Sequence, residues 1–207
     1  MKITKYPQSC LVVEVPGTGT LLIDPGFPAS ARYELDDLLP VDAVLVTHQH
    51  ADHLDRAWAT DLLDRGMQLV ANADVAQLLD RDGIQVVAGG DRLEVAGIPI
   101  QAFDLPHMPM VDGTPGPPNL GFLVDDRLLH PGDGADLDTL RAEILAVPIA
   151  GPSCSYRDAY VMIETVGATA AVPIHFDVFP ADPALFADKA GDVADIRVLA
   201  PGESATF

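Results

Sequence analysis

Cysteine is scarce: only Cys10 and Cys154 occur among 207 residues. A disulfide framework is therefore not the stabilising device, which agrees with a reducing compartment. Cys154 reads first as a small loop or core residue rather than a reactive thiol. Basic residues are also few, with 12 Lys and Arg against 31 Asp and Glu, a formal charge of -19. Such a surface repels phosphate backbones, so no nucleic-acid partner is expected. The carboxylates are spread along the whole chain, so the acidity reads as solubility or a salty environment rather than a site. No apolar run approaches the ~20 residues of a membrane span, and no membrane association is expected. The start, Met1 to Pro7, lacks the apolar core of about 7–15 residues that a secretory leader needs, so the cytoplasm is the expected compartment. No repeat, low-complexity tract or Gly/Ser linker divides the chain, and its length suits one domain over 1–207.

What is present is an alternation of short apolar strands and helices. Strand-like runs occur at Cys10–Val15, Thr20–Ile23 and Ala43–Val46, then a helix over Leu54–Arg65 with Gly66 as its stop. Gln68–Ala71, a helix over Asp74–Asp80 and Ile84–Val87 follow. Arg92–Val95, Ile98–Phe103, Leu120–Val124 and Arg127–His130 form an antiparallel series, with Asp125-Asp126 as a two-residue turn. The remainder reads as a helix over Leu137–Ala142, a strand over Ile144–Val147, a helix over Tyr156–Val166 capped by Ser155, a strand over Ala170–Ile174 and a helix over Ala184–Lys189 capped by Asp182. Two β-rich halves with helices outside predict an α/β fold, a four-layer αββα sandwich or else a more open α/β sheet. The Pro- and Gly-rich loop Met108–Asn119 is the longest irregular segment and is expected at the rim of a site.

Three of the six histidines fall in one hexapeptide, His48-Gln49-His50-Ala51-Asp52-His53. Imidazoles and a carboxylate at this spacing are what a divalent transition metal needs. Random placement would produce the pattern on the order of once per thousand such chains. His107, Asp133 and His175 lie far off in sequence, yet each follows the end of an apolar strand, as the hexapeptide does. Strands of one core deliver their ends to a common edge, so these residues can converge. Alone, His107 and His175 would be read as capping or core residues and Asp133 as a turn residue. His130 faces inward or outward according to pleat parity, which sequence does not decide.

Thr47-His48-Gln49-His50-Ala51-Asp52-His53 resembles the THxHxDH signature of the metallo-β-lactamase superfamily. Leu22-Ile23-Asp24-Pro25-Gly26 is similar to that family's early strand, Gly132-Asp133 to its GD motif, and Pro173 to Pro180 to the terminal His motif of the compact branch related to L-ascorbate-6-phosphate lactonase. The resemblance spans Cys10 to Pro180. It implies that His48, His50 and His107 hold one metal, that Asp52, His53 and His175 hold a second, and that Asp133 bridges both. It further implies that Asp24 and Thr47 orient the cluster loop, since ligating imidazoles need a partner on the other nitrogen. His130, three residues before Asp133, becomes a catalytic candidate or a neighbour of the substrate. The loop Gly151-Pro152-Ser153-Cys154-Ser155-Tyr156-Arg157 would border the site, making Cys154, Tyr156 and Arg157 candidate substrate contacts.

The implied activity is hydrolysis of a small ester, lactone or phosphodiester by a hydroxide held between two divalent cations, zinc first, with manganese or iron also compatible. Asp52 could orient the nucleophile and pass on its proton. Two dications against Asp52, Asp133 and hydroxide leave a net positive centre, so the small-molecule substrate is allowed to be anionic. The alternatives are a di-iron redox protein, against which His50 and the absence of a flavin domain argue, and a non-catalytic metal- or ligand-binding module, which would not require seven ligands.

Overall fold

The computed structural model describes residues 1–152 and 154–207. Among them, strands assemble into two seven-stranded sheets. The first sheet runs from edge to edge as β14 (Ser204–Thr206), β1 (Lys2–Lys5), β2 (Leu11–Val15), β3 (Gly19–Ile23), β4 (Ala43–Val46), β5 (Gln68–Ala71) and β6 (Ile84–Val86). The second runs as β13 (Asp195–Ile196), β12 (Ala170–Ile174), β11 (Ile144–Pro148), β10 (Leu128–His130), β9 (Leu120–Val124), β8 (Ile98–Asp104) and β7 (Arg92–Val95). Both sheets follow the same pairing plan. From β14 to β3 and from β7 to β10 neighbours are antiparallel; from β3 to β6 and from β10 to β13 they are parallel.

Strand β4 shows why the layers stack. All four of its residues are apolar and buried, because the strand is covered on both faces. Ala43 and Leu45 point into the core between the sheets, where they join Val13, Leu21 and Ile23 against Ile100, Phe122, Ile144 and Val172 of the other sheet. Val44 and Val46 point outward to Ala59 and Leu62 of α2 (Arg56–Asp64) and Val75 of α3 (Ala73–Leu79). On the far side, α4 (Tyr156–Val166) and α5 (Pro183–Ala190) cover the second sheet through Met162, Ile163 and Phe186. Three apolar layers separate four structural layers, which is the αββα sandwich. A short helix, α1 (Phe27–Ser30), and a 3-10 turn at Leu35–Leu38 complete the first side.

Local signals explain most boundaries. Asp55 caps α2 by accepting from the backbone N–H of Ala57 and Trp58, so the helix begins later than the apolar pattern suggests. Ser155 and Asp158 form a reciprocal capping box on α4. Asp125 and Asp126 both have positive φ, as a tight two-residue hairpin turn requires. The helix expected over Leu137–Ala142 does not form. Leu137 and Leu140 are buried in the layer beneath α4, but one turn satisfies that burial. The Arg141 guanidinium donates to the carbonyls of Leu140 and Thr165, taking an acceptor that a continuing helix would use. Strands β1, β13 and β14 and helix α1 carry no clear periodic signal and are findings of the structure.

Candidate metal centre

All the expected ligand positions meet at one end of the sandwich. The loop after β4 carries His48, His50, Asp52 and His53; His107 follows β8, Asp133 follows β10, and His175 follows β12. Each is thus the continuation of a core strand. The loop geometry is tightly constrained. A Cβ on Gly26 would overlap the backbone of Asp52, and one on Gly132, whose φ is +58°, would overlap Asn119 and press on Thr47. The chain therefore needs glycine on both sides of the cluster.

Side-chain donors fall into two groups that share Asp133. On one side, His50 Nδ1 stands 3.1 Å from His48 Nε2 and 3.2 Å from His107 Nε2, and Asp133 Oδ2 lies 3.2 Å from His107 Nε2. On the other, Asp133 Oδ1 lies 3.1 Å from His53 Nε2 and 3.2 Å from His175 Nε2, and Asp52 Oδ2 lies 3.2 Å from His175 Nε2. Donors bound to one tetrahedral cation at ~2.0–2.1 Å stand roughly 3.3 Å apart, so these spacings suit a metal.

The opposite ring nitrogens settle which lone pairs face inward. His175 Nδ1 donates to the Ala150 carbonyl at 2.7 Å, and His107 Nδ1 donates to the Met108 carbonyl. A carbonyl only accepts, so each ring commits its Nδ1–H outward and turns Nε2 inward as the atom left to bind a cation. His53 Nδ1 meets Asp24 Oδ2 at 2.7 Å, and His48 Nδ1 meets Thr47 Oγ1 at 3.0 Å. Thr47 in turn donates through its hydroxyl and its backbone N–H to the two oxygens of Asp24. Asp24 and Thr47 therefore occupy the outer nitrogens of His53 and His48. His53 Nε2, His175 Nε2 and Asp133 Oδ1 are buried and make no hydrogen bond. Three orphaned buried polar atoms aimed at one point are costly unless a cation joins them. The residues fit a metal.

Charge within the site is uneven. Burial and the neighbouring His53 push the His48 pKa well down. Burial also disfavours the charged form of His175, but the Asp133 carboxylate outweighs it, and the pKa rises to about 9. Burial opposes ionisation of Asp133 too, yet His53 and His175 hold its carboxyl well below the usual range.

Gln8 was not visible as a site residue in the sequence. Its side-chain amide donates to Asp52 Oδ2 at 2.9 Å, and its backbone carbonyl accepts from the His175 N–H. It is fully buried with φ +65°, a conformation that no local motif announces. Asn119 is likewise new: its amide donates to the Leu105 and Pro131 carbonyls while its oxygen accepts from the Asp133 N–H, fixing the turn that carries Asp133.

Four candidate contacts have partners of their own, although Cys154 and Tyr156 line a depression that shares Phe179 with the cleft over the donors. His130 donates from Nε2 to the Ser9 carbonyl and accepts the Gly132 N–H at Nδ1, fully buried. Both nitrogens are committed, so it braces the Gly132–Asp133 turn and does not face substrate. Arg157 lies over Tyr160 and lines a separate depression with Asp158 and Val161. Tyr156 donates to the Asp182 carbonyl and packs on Phe186. Cys154 donates to the Pro148 carbonyl, and burial pushes its thiol up to about 12, which removes thiolate chemistry near neutral pH. Ser153 of the same loop lies outside the described residues. The loop Met108–Asn119 does border the centre: Gly116 lies against the His107 ring and Met110 lines the cleft above the donors.

Residues 2–175 match the beta-lactamase superfamily domain, and the chain belongs to that family. It is 31% identical to Protein Rv0786c of Mycobacterium tuberculosis over 182 residues, 84% of each chain. It is 29% identical to a protein of Thermoplasma volcanium named as a metal-dependent hydrolase, across 96% of this chain and 95% of the relative. Of solved structures, the metallo hydrolase Igni18 of Ignicoccus hospitalis superposes with a TM-score of 0.81 at 25% identity, covering 100% of this chain and 97% of that one. The metallo-beta-lactamase fold protein YhfI of Bacillus subtilis, at 16% identity and a TM-score of 0.76, shares the fold over 99% of this chain and 98% of its own. The protein is a metal-dependent hydrolase of the metallo-β-lactamase superfamily.

Proposed function

We propose that the centre is dinuclear and hydrolyses a small ester or lactone, or a phosphodiester. The observation that carries this reading is the division of eight donor atoms into two sets of four, with Asp133 lending one oxygen to each. His48, His50 and His107 with Asp133 Oδ2 would hold one ion; Asp52, His53 and His175 with Asp133 Oδ1 would hold the other. Divalent cations held there would supply a water acidic enough to attack at neutral pH and a Lewis acid for the substrate oxygen. Zinc, manganese and iron all suit imidazole and carboxylate donors.

The chain's own residues do the rest. Asp52 is the more open of the two carboxylates, with 22% of its side chain exposed against 7% for Asp133. It lines the cleft, while Gln8 fixes its Oδ2. Asp52 is thus placed to take a proton from the attacking water and deliver it to the leaving oxygen. Asp24 and Thr47 hold the imidazoles still, so little reorganisation accompanies reaction.

Elemental analysis of protein purified without added metal tests the reading, together with turnover of an ester, lactone and phosphodiester panel. Two equivalents of zinc or manganese with turnover are expected. Two irons without hydrolysis would sink it.

A further inference from the structure

Above the donor atoms lies a cleft of 380 Å³, towards the lower end of the roughly 300–1,000 Å³ typical of small-ligand sites. Its floor is His50, Asp52, His107, Asp133 and His175. Its walls are Phe27, Pro28, Met110, Pro152, Val178 and Phe179. Phe27 is 60% exposed and Val178 46%, and the Phe179 ring stacks on that of His175 with centroids 5.8 Å apart. None of the chain's 12 lysines and arginines lines it. Buried Lys5 and half-exposed Arg32 both pair with Asp177, the residue before Val178, at 3.0 and 3.6 Å. Arg157 faces away over Tyr160. A negative group on the substrate, away from the reacting bond, would lose its hydration here and meet no cationic side chain.

We infer that the cleft selects a substrate with no charge away from the reacting bond: a small carboxylic ester or lactone whose apolar acyl group packs between Phe27, Val178 and Phe179. This deepens the hydrolase reading, on which it rests, and separates substrates with an apolar acyl side from those that carry a second charge away from the reacting bond. Hydrolysis breaks the acyl C–O bond; the water supplies OH to the carbonyl carbon and a proton to the leaving oxygen. The apolar walls reward acyl length, by roughly fourfold per buried methylene until the cleft is filled.

The test is binding, independent of turnover. Benzohydroxamate and 4-carboxybenzohydroxamate share a metal-seeking head and differ by one distal charge. By calorimetry on the metal-loaded protein, the neutral compound should bind at least about tenfold more tightly. Phe27→Lys, at an exposed position the fold tolerates, should shrink or invert that ratio. Equal or tighter binding of the carboxylate, no binding of either, or an unchanged ratio in Phe27→Lys would overturn the inference. Turnover on the panel is scored separately: a neutral preference with no hydrolysis of any ester would remove the hydrolase reading and leave the selectivity standing.

Discussion

The two sheets equip the centre by different routes. The first sheet contributes four donors from one loop after β4, and side chains hold them: Asp24 and Thr47 occupy the outer nitrogens of His53 and His48. The second contributes His107, Asp133 and His175 from three separate loops. There the outer nitrogens of both histidines are held by backbone carbonyls, of Met108 and Ala150. The first arrangement localises in sequence and depends on a few side chains. The second is dispersed in sequence and depends on the strand register that sets the carbonyls in place. The imidazoles of one half therefore rest on side chains that a single substitution removes, whereas those of the other rest on backbone, with Asn119 holding the Asp133 turn.

The largest effect should come from the residue that faces both donor sets. Asp133→Ala should reduce bound metal at both positions and lower turnover by at least about a thousandfold, measured by elemental analysis and steady-state rates. Full metal retention would show that the two sets do not share it. Next is a second kind of tie between the sheets, the ion pair of Lys5 on β1 with Asp177 beyond β12. Lys5 is fully buried, with Nζ also donating to the Tyr6 carbonyl. Lys5→Met leaves Asp177 without its buried counter-charge and should cost about 3 kcal/mol in chemical denaturation. Burial lowers the Lys5 pKa from 10.5, against the pull of Asp177. Between that lowered value and 10.5 the unfolded chain binds more protons, so this group's contribution to stability rises with pH. The deficit of Lys5→Met should accordingly widen as pH rises through that window; a shrinking deficit would contradict the burial argument.

The supports themselves come third. Asp24→Ala removes the acceptor for His53 and for both Thr47 donors, and should weaken metal binding by about 10–100-fold. The matching probe of the second sheet is Gly116→Ala, whose methyl would strike the His107 ring; about tenfold weaker binding is expected. Equal losses, read by competition with a chelator, would erase the contrast between the sheets. Smallest should be Gln8→Ala. It strips one donor from Asp52 and should slow turnover by about tenfold while leaving metal content unchanged. Loss of metal instead would make Gln8 a support of the whole centre.

Much of this was legible beforehand, for identifiable reasons. Strand β4 and the hexapeptide after it stand out because burial on both faces demands an unbroken apolar run, and ligands adjacent in sequence need no fold to meet. His107, Asp133 and His175 emerge from their shared strand-end position. Gln8 could not: its contact with Asp52 spans 44 residues of sequence and depends on a left-handed backbone conformation. His130 misled because a histidine beside Asp133 looks reactive, whereas Ser9, brought across from the first sheet, occupies it. The false helix at Leu137–Ala142 arose because an i, i+3 leucine pair is satisfied by one turn as well as by a helix.

The sharing of donors between sheets bears on how the chain is held together. Cys10 and Cys154 are both free thiols, so no disulfide links the layers. Any cation seated among these donors joins His48 or Asp52 on one sheet to His107, Asp133 or His175 on the other. It closes loops of many tens of residues, and so acts as a removable crosslink. In chain-entropy terms such a clip restricts the unfolded ensemble as a long-loop disulfide would. Unlike a disulfide, it is set by the free metal concentration, so the melting temperature itself should report how much metal the surroundings supply.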